Sequence, residues 1–182
     1  MGTLSTDRVA KTGNNWFLKL VAAISTVAGW CSAAMILSAV FITCQMIFVR
    51  FVLNQSTVWQ TEVVVYLMVL ATLIGLPYVQ HLRGHVNVDL FPIMLPPKAR
   101  YILSIFTLSI SAIIVAIMLW YGYEYWHLAM TKGWTSDTVT AVPLWIPYLA
   151  LPLGFSLFLL QLIADLVAVI LKIDQPFGLE SK

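Results

Sequence analysis

Charged residues divide this chain into four long uncharged stretches, and that pattern alone predicts an architecture. Lys19 and Arg50 bracket Leu20 to Val49, Glu62 and Arg83 bracket Val63 to Leu82, and Arg100 and Glu124 bracket Tyr101 to Tyr123. Asp137 and Asp165 bracket a fourth stretch, whose apolar character continues to Leu171. A charge is costly in hydrocarbon, and a helix needs about 20 apolar residues to cross a bilayer. Each gap therefore holds one transmembrane helix, with predicted spans at 18–49, 60–82, 100–125 and 144–171. The first and last are longer than a single crossing requires, which implies tilt or projection beyond the bilayer without fixing an angle. The expected fold class is all-α: one integral membrane domain over 1–182, a bundle of four transmembrane helices with a short interfacial segment between the second and third. The first stretch is too long for a secretory signal and lacks a small-residue cleavage site after a short core, so it is expected to be a retained helix.

Composition agrees. Of 182 residues, 60% are hydrophobic and 10% charged, against roughly 25% charged in a soluble domain. The net charge of +2 comes without a basic run or aromatic-basic stripe, so no nucleic-acid partner is indicated. The positive charges are distributed unevenly. Four spans put both termini on one side, together with Arg8, Lys11, Lys19, Arg83, Lys98, Arg100, Lys172 and Lys182; the other side has Arg50 and Lys132. The positive-inside rule then makes both termini cytoplasmic. Trp16, Trp59, Trp120, Trp126, Trp134 and Trp145 fall near predicted span ends, where indoles prefer the lipid–water interface.

The connections are short. The first outer one runs from about Phe51 to Trp59 and the second from about Trp126 to Val142. The second contains Lys132-Gly133-Trp134-Thr135-Ser136-Asp137, and it reads either as a solvated loop or as a docking surface for something outside the membrane. On the inner side, Gly84 is placed to end the second helix, Asp89 to cap an interfacial stretch from Leu90 to Leu95, and Pro97 to begin the third helix.

The intramembrane chemistry is sparse. Secondary transporters use broken helices and polar groups at mid-membrane, but here no Asp, Glu, Lys or Arg lies near a span centre. Pro77 is close to the inner end of the second span, and Pro147 and Pro152 are in the outer part of the fourth. His81 and His85 lie near the inner face and His127 near the outer face, a distribution unsuited to facing haem ligands or to a catalytic metal. Cys31 and Cys44 would be about 20 Å apart on one helix, too far to bridge; they read as buried small apolar residues. No catalytic residue, cofactor site or metal site is assigned.

Three polar features remain. Glu62 and Glu124 are expected at the outer face, either paired with charges such as Arg50 and Lys132, water or headgroups, or touching a partner subunit. Asp165 lies one turn after Gln161, about 10 Å from the charged end of its helix, and is expected to face protein or to reach the inner interface. Ser25, Gly29 and Ser32 form a small-residue face that permits close helix packing, against a neighbour the sequence does not identify.

Taken together, certain residues resemble a known family. They are Trp59-Gln60-Thr61-Glu62, then Tyr66 and Gly75, then Arg83-Gly84-His85-Val86-Asn87-Val88-Asp89, then Leu95-Pro96 and Arg100. The chain resembles the small membrane subunit of tripartite ATP-independent periplasmic (TRAP) transporters, the DctQ-like family, over nearly its whole length. The Gly-His-Val-Asn-Val-Asp run is the most specific part. One departure is that Thr61-Glu62 is followed by three valines, where the family often has two adjacent acidic residues and then a basic one.

The resemblance implies a non-catalytic small permease subunit in the bacterial inner membrane. It implies sodium-driven secondary transport, a symport of organic acids, in which a large multi-span permease subunit carries the substrate and sodium sites. This chain would scaffold that subunit among membrane lipids, and a periplasmic substrate-binding protein would dock on the outer face. By analogy Glu62, Tyr66, Gly75, Arg83, Gly84, His85 and Asp89 are expected to serve structure and subunit contacts. Lys132, Trp134 and Asp137 are candidates for contact with the docked binding protein. Two alternatives stand beside this: a small self-sufficient carrier that oligomerises, and the membrane anchor of a redox enzyme.

Overall fold

The computed structural model describes residues 16–82 and 96–171. Four helices in it are long and apolar enough to cross a membrane. Helix α1 spans Trp16–Val52, α2 Val58–His81 and α3 Pro97–Thr131. The fourth span consists of a single turn, α4 (Trp145–Tyr148), running into α5 (Ala150–Ile170). Pro147 and Pro152 have no N–H to give, so the helical ladder thins around Leu149. The chain nevertheless stays helical there: Leu149 N–H bonds to Trp145 C=O at 3.1 Å, and Leu153 N–H to Leu149 C=O at 3.2 Å.

The helix ends differ from the expected ones, and the differences have local causes. At 37 and 35 residues, α1 and α3 run to more than 50 Å at about 1.5 Å per residue, well beyond a ~30 Å hydrocarbon core. The second outer connection does not begin near Trp126, because α3 continues to Thr131. Lys132 caps the helix and Gly133 follows it, with a φ of 59° in the left-handed region. There Gly133 N–H bonds to Met130 C=O and Trp134 N–H to Ala129 C=O, the paired closure of a Schellman motif. Helix α1 ends one residue before Leu53, and the next residue, Asn54, takes φ 49°, a conformation asparagine tolerates better than most. Pro97 opens α3 at its first position, where its missing N–H would have had no helical partner. Gly84 and the Leu90–Leu95 segment lie outside the described residues.

Spans one and three run antiparallel to spans two and four. Helix α5 is central: it packs on α1, α2 and α3, while α1 and α2 form the most extensive pair and α3 packs on the far side of α5. Close approach depends on small residues, as expected for helices in lipid. Ser25 and Ser32 are buried. The Ser32 hydroxyl donates to the Ala71 carbonyl at 2.6 Å, and Gly75 lies directly against Ser32. Gly29 receives the ring of Tyr78. The small face of α1 thus packs on this chain's own second and fourth spans.

A second close contact joins α2 to α5. A Cβ at Gly154 would sit 2.6 Å from Leu73 Cβ and 2.9 Å from the Leu73 carbonyl oxygen. Leu73 is four residues before Pro77, so its carbonyl is the one that proline leaves without a helical donor. Pro77 is buried within α2, and the helix surface it disturbs is the surface on which Gly154 packs. Apolar contact completes the bundle, with Leu18 and Val21 against Ala164 and Ala168 at one end, and Val115, Phe155 and Leu162 between α3 and α5. The remaining faces of α1 and α3 are exposed and apolar, as in Trp30, Phe41, Phe106 and Trp120. Cys31 and Cys44 lie on the uncovered surface of α1 and are exposed. They are not the buried residues expected from sequence, because α1 is covered along one side only.

Candidate functional site

Among the described residues, two polar clusters lie at opposite ends of the bundle. At the end bearing the chain termini, the Ser25 hydroxyl on α1 donates to Gln161 Oε1 on α5 at 2.7 Å. Gln161 Nε2 donates to Asp165 Oδ1, and Gln80 Nε2 on α2 donates to Asp165 Oδ2, each at 2.9 Å. The network therefore ties three helices together. Gln161 and Asp165 are four residues apart, so one face of α5 presents both. Asp165 faces protein, which settles the two options its position had left open.

At the opposite end Glu62 is in the second turn of α2, with 8% of its surface exposed. Its Oε1 accepts from the Tyr66 hydroxyl, one helical turn on, at 2.8 Å. Its Oε2 accepts from Thr138 Oγ1 at 2.9 Å and from Thr140 Oγ1. Each hydroxyl has one proton. With both threonines donating to the carboxylate, Thr138 Oγ1 accepts from Ser136 Oγ, 3.0 Å away. Burying a carboxylate is unfavourable unless donors replace the water it loses, and here the donors are hydroxyls. Among the described residues the partners of Glu62 are these hydroxyls, not Arg50 or Lys132, the basic residues of the same end.

The loop that supplies them is a small hairpin. Ser136 N–H bonds to Val142 C=O and Leu144 N–H to Trp134 C=O, both at 2.9 Å, with Thr135 bridged to Pro143. The turn closes from Ala141 N–H to Thr138 C=O at 3.0 Å. Ala141 takes φ 44°, a left-handed conformation that costs a non-glycine residue about 1–2 kcal/mol. At the base, Trp134 meets Tyr125 edge-on with centroids 5.8 Å apart, and Tyr125 packs on Tyr148 at 5.2 Å. The hairpin is thus held at its base by aromatic packing and at its turn by Glu62. Beside it, an open groove of about 400 Å³ runs along Val58, Thr61, Glu62, Val65 and Tyr66 to Thr138.

The residues singled out from sequence therefore separate. Glu62 and Tyr66 are joined by a hydrogen bond, whereas Gly75 belongs to the α1–α2 contact farther along the helix. Trp134 is half-buried in the hairpin, while Lys132 and Asp137 are exposed on the same loop. Arg83, Gly84, His85 and Asp89 lie outside the described residues. Sequence reading missed Thr138 and Thr140 as partners of Glu62, and Ser136 as the hydroxyl behind Thr138. No local signal marks them, because 76 and 78 residues separate Glu62 from the two threonines. It also missed the role of Gly133, although a glycine directly after Lys132 is an ordinary helix-end signal. Among the described residues no group of three or more His, Cys, Asp or Glu side chains is placed to hold a metal ion.

Comparison with known families places much of the chain in one of them. The model of the family described as "Tripartite ATP-independent periplasmic transporters, DctQ component" matches residues 39–172, well over half of the chain. No curated protein matches it. The matched region includes α2, α3, the hairpin and the fourth span, and so both polar clusters except Ser25.

Proposed function

Because the chain belongs to the DctQ component family of tripartite ATP-independent periplasmic transporters, we propose that it is the small permease subunit that scaffolds the large, substrate-translocating subunit of such a transporter. The family is a transporter component and not a catalytic one, and four apolar helices make the chain a membrane protein. The observation that carries the scaffold reading is where the polar groups sit. The Glu62 and Asp165 clusters lie towards opposite ends of the bundle and are taken up by partners within the chain. Between them the helices meet through glycine, serine and apolar contact. A translocation path needs polar groups at mid-membrane; a scaffold needs rigid helices with apolar flanks, such as the uncovered sides of α1 and α3.

In this reading the transporter is a sodium-driven symporter for organic acids, with sodium and substrate held by the large subunit. A periplasmic binding protein delivers the substrate to the face bearing the hairpin. Both chain termini are cytoplasmic, in the bacterial inner membrane, consistent with the eight-to-two distribution of Lys and Arg. Reconstitution tests this. Proteoliposomes with an inward sodium gradient are assayed with a panel of radiolabelled small organic acids, leaving out one component at a time. Uptake should require this chain, the large subunit and the soluble component together. Uptake by this chain alone would replace the scaffold with the small-carrier alternative.

A further inference from the structure

We propose that Glu62 is a positioning residue for docking: its carboxylate fastens the 132–144 hairpin to α2, so that the exposed turn at Val139 meets the transporter's soluble component in one fixed pose. This rests on the reading of the chain as the small subunit of a three-part transporter.

A connection that merely joined two helices would need no such fastening. Here thirteen residues between α3 and α4, 132–144, are held in four ways: by the helix-ending closure at Gly133, the Thr135–Pro143 bridge, the Tyr125–Trp134–Tyr148 aromatic cluster and the hydroxyl bonds to Glu62. Ala141 keeps a left-handed backbone that alanine disfavours, as happens where the surroundings dictate the conformation. The residue presented by this arrangement is Val139, in the turn between the two threonines that bond Glu62. It is apolar and 97% exposed.

The surface around Val139 favours a protein over a lipid surface. Lys132 and Asp137 are exposed on the same loop with opposite charge. An apolar contact with a mixed polar rim is the make-up of a protein–protein patch. A headgroup-binding loop would carry a cluster of basic residues. Glu62 acts through Thr138 and Thr140, on either side of Val139.

The test uses the complex of this chain with its large subunit in lipid nanodiscs and the purified soluble component of the same transporter. Docking affinity is measured by biolayer interferometry, and hydrogen exchange is followed across residues 134–144. Glu62→Ala should raise exchange of the Ser136 and Ala141 amides while the amides of α1 stay protected, and should weaken docking roughly three- to tenfold. Glu62→Gln keeps one acceptor oxygen and should fall between it and the native chain. Val139→Asp alters a side chain with almost no contacts within the chain, so it tests the turn without a risk to folding. It should weaken docking about tenfold or more with exchange unchanged. Unchanged exchange in Glu62→Ala would overturn the fastening role. Faster exchange with native affinity, or native affinity in Val139→Asp, would overturn the docking role, including the case in which the turn meets lipid instead. A native chain that forms no complex with the large subunit would instead defeat the function proposed above.

Discussion

Glu62 and Asp165 are both carboxylates that side chains of this protein hold near the ends of its membrane helices, yet they connect different things. Asp165 takes hydrogen bonds from two amides on two helices, and through Gln161 it reaches a serine on a third. It holds the bundle itself together. Glu62 takes its bonds from hydroxyls, one on its own helix and two on a hairpin lying outside the bundle. Removing the first carboxylate acts on helix packing; removing the second acts on one loop. The same chemistry serves architecture at one end and presentation at the other, and the difference follows from which elements supply the donors.

The largest effect that separates them is expected from Asp165→Ala. It leaves the Gln80 and Gln161 amides without their acceptor, and an unsatisfied buried donor costs about 1–3 kcal/mol. Interhelical hydrogen bonds in membranes are often worth less than that. A loss of about 2 kcal/mol is expected, read as a fall of about 4–8 °C in the midpoint of thermal unfolding in mild detergent. An unchanged midpoint would mean that the network does not hold the helices. Gly154→Ala comes next. Its added Cβ meets Leu73 Cβ and carbonyl oxygen, and overpacking typically costs about 1–3 kcal/mol, so the same assay should show a slightly smaller fall. Glu62→Ala sharpens the contrast, because it should leave that midpoint close to native while hydrogen exchange in the hairpin rises. A fall as large as that of Asp165→Ala would erase the distinction between the two ends. The smallest effect is expected from Ala141→Gly. Relief of the left-handed strain and the greater backbone freedom of glycine oppose each other, so the midpoint should move within measurement error.

The helices were legible because charges are so costly in hydrocarbon that the gaps between them mark the spans. The small face of Ser25, Gly29 and Ser32 was legible for a related reason, since close packing in lipid selects small residues. What covers that face was not, because α1 is apolar all round and no stripe marks a direction. The end of α3 was misplaced because Trp126 reads as an interfacial residue, whereas the chain meets no helix breaker until Gly133. Of the candidate site, Glu62 was identified but its partners were not. Ser136, Thr138 and Thr140 look like any solvated loop until the fold lays them over the second helix. Asp165 was likewise visible as an unusual charge, but its bond to Gln80 spans 85 residues of sequence.

The most direct test of the scaffold reading is a mild-detergent pull-down of the native chain from its own membrane, with quantitative mass spectrometry of what accompanies it. A large, many-span permease in near-equal amount is the predicted result. A chain that purifies alone, or only with further copies of itself, would contradict it.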